Sequence, residues 1–116
     1  MNFELIQSYC LSKNGVEETF PFDEYTVVWK VGGKMFCLGD IREFDQIALK
    51  CDPEEALLLR EEHEQITGAF HMNKTHWNNV VLEGFSREFI FELIDKSYHL
   101  VAQKLPKKIK EQIQYP

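Results

Sequence analysis

Cysteine is scarce in this chain and badly placed for cross-linking. Cys10, Cys37 and Cys51 are scattered and odd in number. No CxxC pair occurs, which removes the usual zinc-knuckle and redox-dithiol patterns and leaves reduced, mostly buried thiols as the expectation. Glycine is sparse too, with six residues. They form no phosphate-cradling loop; Gly32-Gly33 reads as a turn. No apolar run approaches the ~20 residues of a membrane helix. The start, Met1-Asn2-Phe3-Glu4, lacks the basic and apolar regions of a signal peptide, so the expected location is the cytosol. Repeats, low-complexity tracts and linkers are all missing.

What is present is a core. The chain has 116 residues, of which 44 % are hydrophobic, including nine Phe, four Tyr and two Trp. That is too apolar for disorder and enough for one ordinary domain. The net charge of −6 hides an asymmetry. Residues 1–64 carry fourteen acids against six bases, whereas residues 65–116 carry five acids against seven bases. Phosphate binding follows local Lys and Arg density rather than the whole-chain charge, although an acidic total weighs against it.

Periodicity orders the elements. Leu5, Ile6, Tyr9 and Cys10 have helical spacing over residues 3–12, with Asn14-Gly15 as a stop. Thr19–Phe22 is a short strand candidate interrupted by Pro21. Tyr25–Val31 and Lys34–Leu38 flank Gly32-Gly33, the strongest hairpin signal in the chain. Gln46–Cys51 alternates as a strand. Asp52-Pro53-Glu54-Glu55 is a helix start, with Asp52 placed to accept from the Glu55 N–H and the glutamates at the positive end of the dipole. Ile66–Phe70 and Asn78–Glu83 are strand-like. Ser86 caps a last helix whose stripe is Ile90, Leu93, Ile94, Tyr98, Val101 and Leu105. Pro106 should end or kink it, leaving Lys107–Pro116 as a frayed polar tail. Hairpins and amphipathic helices together predict an α+β two-layer sandwich: an antiparallel sheet with helices packed on one face and the other face at least partly open.

The richest chemistry lies in His71-Met72-Asn73-Lys74-Thr75-His76-Trp77, a loop between two strand-like runs. Loops on rigid scaffolds are where binding chemistry concentrates. His71 and His76 have no acidic neighbour in the loop and no third ligand at zinc spacing. Cys51 precedes a helix N-terminus, which can acidify a thiol, but it shares a strand face with Ile47 and Leu49. The paired acids Glu17-Glu18, Asp23-Glu24 and Glu61-Glu62 read as solvated faces and turns. Binding fits better than catalysis. Lys74 beside His76 and Trp77 mixes charge with a ring, as phosphate and nucleic-acid sites do. Lys30, Lys34 and Lys50 sit on strands and, on a shared open face, could join Lys74, and Lys104, Lys107, Lys108 and Lys110 cluster at the end of the last helix. The acids Asp52, Glu54, Glu55, Glu61, Glu62 and Glu64 form a second candidate surface, for a cation or a basic protein.

Several ordered motifs resemble the MmcQ/YjbR family. They are Gly15-Val16-Glu17-Glu18 with Phe20-Pro21-Phe22, Val31-Gly32-Gly33-Lys34-Met35-Phe36, Leu49-Lys50-Cys51-Asp52-Pro53-Glu54, the His71–Trp77 loop, Ser97-Tyr98-His99-Leu100-Val101 and Lys104-Leu105-Pro106-Lys107-Lys108. The resemblance spans nearly the whole chain. It implies a CyaY-like fold, related in architecture to frataxin, and DNA binding through a "double wing" motif. The family often carries Gly-Tyr where this chain has Ala69-Phe70, so a hydroxyl or backbone-approach role is not carried over to that point.

The combined expectation is a non-enzymatic, cofactor-free DNA-binding module of low sequence specificity. Asn73, Lys74 and His76 would make polar contacts from the loop, and Lys30, Lys34 and Lys50 would contact phosphate. The alternative is a protein- or metal-interaction domain using the acidic half.

Overall fold

A six-stranded, wholly antiparallel sheet organises the chain, in the order β1-β2-β3-β4-β6-β5. The strands are β1 (Val16–Thr19), β2 (Thr26–Val31), β3 (Lys34–Asp40), β4 (Gln46–Lys50), β5 (Ile66–Gly68) and β6 (Trp77–Val81). The helices are α1 (Phe3–Leu11), α2 (Pro53–Glu62), α3 (Arg87–Ala102) and α4 (Lys107–Gln112). This computed structural model describes residues 1–116.

Alternation along the strands separates the two sheet faces, except at a bulge in β3 where Trp29 pairs with Cys37 and Lys30 with Met35, so that Phe36 and Cys37 both turn inward. Val27, Trp29, Val31, Phe36, Cys37, Ile47, Leu49, Ile66 and Val80 join Ile6 and Cys10 of α1 and Ile90, Leu93, Ile94, Tyr98, Val101 and Ala102 of α3 in one core. The opposite face carries Lys30, Leu38, Ala48, Lys50, Trp77, Asn79 and Val81. It is only partly open, because Val28 and Trp77 on it are buried as well. The α+β sandwich expected from the sequence is therefore the fold.

Local chemistry explains the element ends. Asn2 Oδ1 accepts from the Leu5 N–H at 2.9 Å, Asp52 from Glu55 at 3.3 Å and Ser86 Oγ from Phe89 at 3.1 Å. The N-termini of α1, α2 and α3 each thereby gain a partner for an otherwise orphaned donor. At the β2–β3 turn both Gly32 (φ 57°) and Gly33 (φ 82°) take the left-handed conformation of a two-residue hairpin turn. Gly32 has a second reason to lack a side chain: a Cβ there would meet Leu105 Cδ1 at 2.6 Å.

Two expectations need correction. The first strand is Val16–Thr19 rather than Thr19–Phe22. Pro21 cannot donate to a ladder, and the following turn is instead closed by Asp23 Oδ1, which accepts from the Tyr25 and Thr26 N–H groups at 3.1 and 2.7 Å. The last ten residues are not a frayed polar tail. Pro106 starts α4 as its N-cap, and Ile109, Ile113 and Tyr115 pack against the core. Asn14 Nδ2 donates to the Gln114 carbonyl at 3.0 Å, and Tyr115 Oη lies 2.9 Å from His99 Nδ1. The i, i+4 pair Ile109/Ile113 was the sequence signal for this helix, obscured by the lysines and polar residues around it.

Candidate nucleic-acid interface

Antiparallel order places particular residues at one end of the sheet. β2 and β4 finish there, at Lys30-Val31 and Lys50; β3 and β6 begin there, at Lys34 and Trp77. The β2–β3 turn and the β5–β6 loop (residues 69–76) thus project from the same end, flanking the end of β4. Lys34 sits at the first projection, Lys74 on the second and Lys50 between them. β3 and β6 are two strand spacings apart, roughly 10 Å.

The strand between the projections is anchored from below. Ser97, wholly buried on α3, donates from Oγ to the Phe36 carbonyl at 2.5 Å and accepts from the Lys50 N–H at 2.9 Å. One hydroxyl thereby ties α3 to β3 and β4 where Lys50 leaves the sheet. By alternation Lys50 and Lys30 point to the open face, Lys50 opposite Trp77 and Lys30 opposite Met35 and Glu17.

The β5–β6 loop is braced in three ways. Asn73 accepts through its backbone carbonyl from the N–H groups of His76 and Trp77 at 3.1 and 3.0 Å, and through Oδ1 from Thr75 at 2.9 Å. The His76 carbonyl accepts from the Cys51 N–H at 2.8 Å. Arg60 of α2 reaches across, with Nε donating to Asn78 Oδ1 at 2.7 Å and a terminal nitrogen donating to the carbonyls of Lys74 and Trp77. The Lys74 stem covers Gly68, where a Cβ would lie 3.2 Å from Lys74 Cγ, and its ammonium is 5.6 Å from the centroid of the Phe70 ring. Phe70 is 80 % exposed, more than any other large apolar residue of the chain.

The six residues expected at the site therefore divide. Lys30 and Lys50 share the open face, and Lys34 sits at the same end. Lys74 is at that end too, but its stem runs on the α2 side of the sheet. The exposed His76 imidazole accompanies them. Asn73 is a builder of the loop, with its carbonyl oxygens already engaged. Arg60 and Phe70 were missed. Arg60 belongs to no motif and reveals itself only through its partners, 14 to 18 residues away; Phe70 was marked as a departure from the family's Gly-Tyr and not as a contact residue.

Charge is arranged along the same axis. None of Lys30, Lys34, Lys50 or Lys74 is in an ion pair, whereas Lys13, Arg42 and Lys96 are held by Asp95, Asp40 and Glu55. The packing of Gly32 against Leu105 and Ile109 brings α4, and with it Lys107, Lys108 and Lys110, beside the β2–β3 turn. The turns at the far end of the sheet hold Asp23, Glu24, Asp40, Glu43, Asp45 and Glu83. Acids are also present at the lysine end, in Glu17 and at the start of α2 (Asp52 and Glu54).

Other chemistries find less. No group of three or more His, Cys, Asp or Glu side chains comes together to hold a metal ion. Cys51 is brought next to His76 by the β4–β6 ladder, but burial, followed by the nearby Glu55 and Asp52 carboxylates, pushes its thiol up to about 11. A thiol so protonated is a poor nucleophile. No helix is long and apolar enough to cross a membrane.

Comparison with known proteins agrees with this architecture. The YjbR family model matches residues 11–100. YjbR of Escherichia coli K12, described as an uncharacterized protein, is 34 % identical over 107 residues, 90 % of either chain. YbdF of Escherichia coli O157:H7, described likewise, is 36 % identical over 100 residues, covering 84 % of this chain and 82 % of its own. A crystal structure of a Deinococcus radiodurans protein with the domain DUF419 superposes with a TM-score of 0.92 at 36 % identity, covering 99 % of this chain and 89 % of the other. A Pseudomonas syringae protein of known structure gives 0.73 at 27 % identity, over 86 % and 98 % of the two chains. The chain belongs to the YjbR family.

Proposed function

We propose that this protein is a non-enzymatic, cytosolic DNA-binding module that grips the phosphate backbone of a duplex with the lysine end of its sheet. The observation that carries the reading is the placing of Lys34, Lys50 and Lys74 on two projecting connections and the strand end between them, all free of ion pairs. Ammonium groups that no carboxylate holds are available to displace condensed counterions from DNA. Lys30 on the open face and the lysines of α4 extend the same surface. Few amide or guanidinium groups are free there to read base edges, which supports positioning contacts and low sequence specificity. The acidic far end repels the same polyanion and would orient the protein on it.

The test is fluorescence anisotropy of a labelled random duplex titrated at two salt concentrations. Binding should weaken steeply with salt. Lys50→Ala combined with Lys74→Ala should weaken binding and flatten the salt slope by roughly 0.9 for each phosphate that is no longer neutralised. An unchanged slope in the double variant removes these residues from the interface. Absence of binding at low salt, where attraction is least screened, removes the DNA reading altogether.

A further inference from the structure

We propose that Phe70 is a stacking platform for a nucleobase, so that the preferred ligand of the lysine end is DNA carrying an unpaired base. This inference rests on the DNA-binding reading and narrows its ligand class.

Three observations carry it. The first is exposure: the ring is 80 % accessible, while the Phe rings at 3, 36, 44, 85, 89 and 91 are buried or half-buried. A ring this exposed on a floppy loop would mean little. The second observation is therefore the bracing beneath it, where Ala69 accepts from the Met72 N–H at 3.2 Å and donates to the Trp77 carbonyl at 3.1 Å. Ala69 itself is buried, so the ring is carried outward from a fixed base. The third is chemical company. The Lys74 ammonium stands 5.6 Å from the ring centroid, and His71 meets the ring edge-on at 4.8 Å. These neighbours leave ring surface open to solvent.

A phenyl ring offers no hydrogen bond, so its ligand must present an apolar or π surface. A cation beside it selects a ligand in which that surface is joined to an anion. A nucleobase with its adjacent phosphate has this combination, and base–aromatic stacking tolerates every sequence because each base has a π face. Inside an intact duplex both faces of a base are already stacked. Only a base freed from the stack can lie on Phe70 while Lys74 meets the neighbouring phosphate. The other exposed rings, Phe20, Phe22 and Tyr25, lie at the acidic end and lack this pairing with an unengaged cation.

The experiment compares two labelled duplexes of identical sequence, one fully paired and one with a single extra adenine bulged from one strand, by anisotropy at fixed salt. The native protein should bind the bulged duplex more tightly by roughly five-fold to a hundred-fold. Phe70→Ala should remove that preference, bringing the affinities for the two duplexes together, and Phe70→Trp should restore it. Lys50→Ala with Lys74→Ala should weaken both DNAs. Equal binding of the two duplexes by the native protein, or a preference that survives in F70A, overturns the stacking role and leaves the DNA reading intact. Failure to bind either duplex at low salt overturns both.

Discussion

Arg60 holds the buried Asn78 through an Nε–H bond to Oδ1 of 2.7 Å, joining α2 to the second residue of β6. The same guanidinium donates to the Lys74 and Trp77 carbonyls, so one planar group fixes the end of the loop that presents Phe70 and Lys74. Asn78 completes its own bonding by donating from Nδ2 to the Ala56 carbonyl at 3.4 Å. The loop's shape is therefore set from a helix distant in sequence.

Arg60→Ala should leave Asn78 Oδ1 buried without its partner and lower stability by roughly 1–3 kcal/mol in urea denaturation. Hydrogen exchange should accelerate at the amides of residues 75–77. Arg60→Lys retains the charge but loses the planar fork that reaches three acceptors, so it should resemble alanine in both measurements. A lysine variant with native exchange rates would show that charge alone holds the loop.

Local signals in the sequence were enough for most of the fold. Ser86 and Asp52 cap their helices through their own side chains, and Gly32-Gly33 turns because both residues need positive φ. These effects act over three or four residues, so they are legible without the fold. Lysines 30, 34, 50 and 74 were also readable as candidates. Their grouping was not, since it depends on β4 pairing with β6 across the whole of α2 and β5. Arg60 and Ser97 were invisible for the same reason: each bonds to groups 14 to 61 residues away. The lysine-rich end misled in the opposite direction. Its polarity suggested fraying, while Ile109, Ile113 and Tyr115 needed the groove beside Gly15 and Gly32 before their spacing meant anything.

That groove leads to a second expectation. Deleting residues 107–116 should destabilise the protein, because it removes three apolar side chains from the core's edge and the Asn14 bond to Gln114. Ile113→Ala alone should cost roughly 1–3 kcal/mol, the lower part of the range for large-to-small changes because the site is half-buried. Urea midpoints of the two variants would measure this. A deletion that left the midpoint unchanged would restore the frayed-tail reading. DNA affinity offers an independent check: the deletion also removes Lys107, Lys108 and Lys110, so the salt slope should flatten further than in K50A/K74A.

Cys51, placed next to His76 by the β4–β6 ladder, allows a nucleophilic role for its thiol to be tested directly. Its thiol is raised from 9.0 to about 11, first by burial and then by Glu55 and Asp52, against smaller opposing effects of Lys96 and Arg60. A raised thiol value means that the neutral form is favoured in the folded state. Its contribution to stability is accordingly full below the unfolded value and disappears as pH rises from about 9 to about 11. At pH 8 the thiolate fraction should fall about a hundred-fold below that of a free cysteine. Iodoacetamide labelling of the folded protein, with the modified residue identified by mass spectrometry, should be slower than that of a free cysteine by about ten-fold or more, because the higher intrinsic nucleophilicity of a more basic thiolate offsets part of the lost fraction. Cys10 and Cys37 are fully buried and should label only on unfolding. Fast labelling of Cys51 at pH 8 would mean that the neighbouring His76 or the start of α2 stabilises its thiolate, and the non-enzymatic reading would then give way to a nucleophilic one.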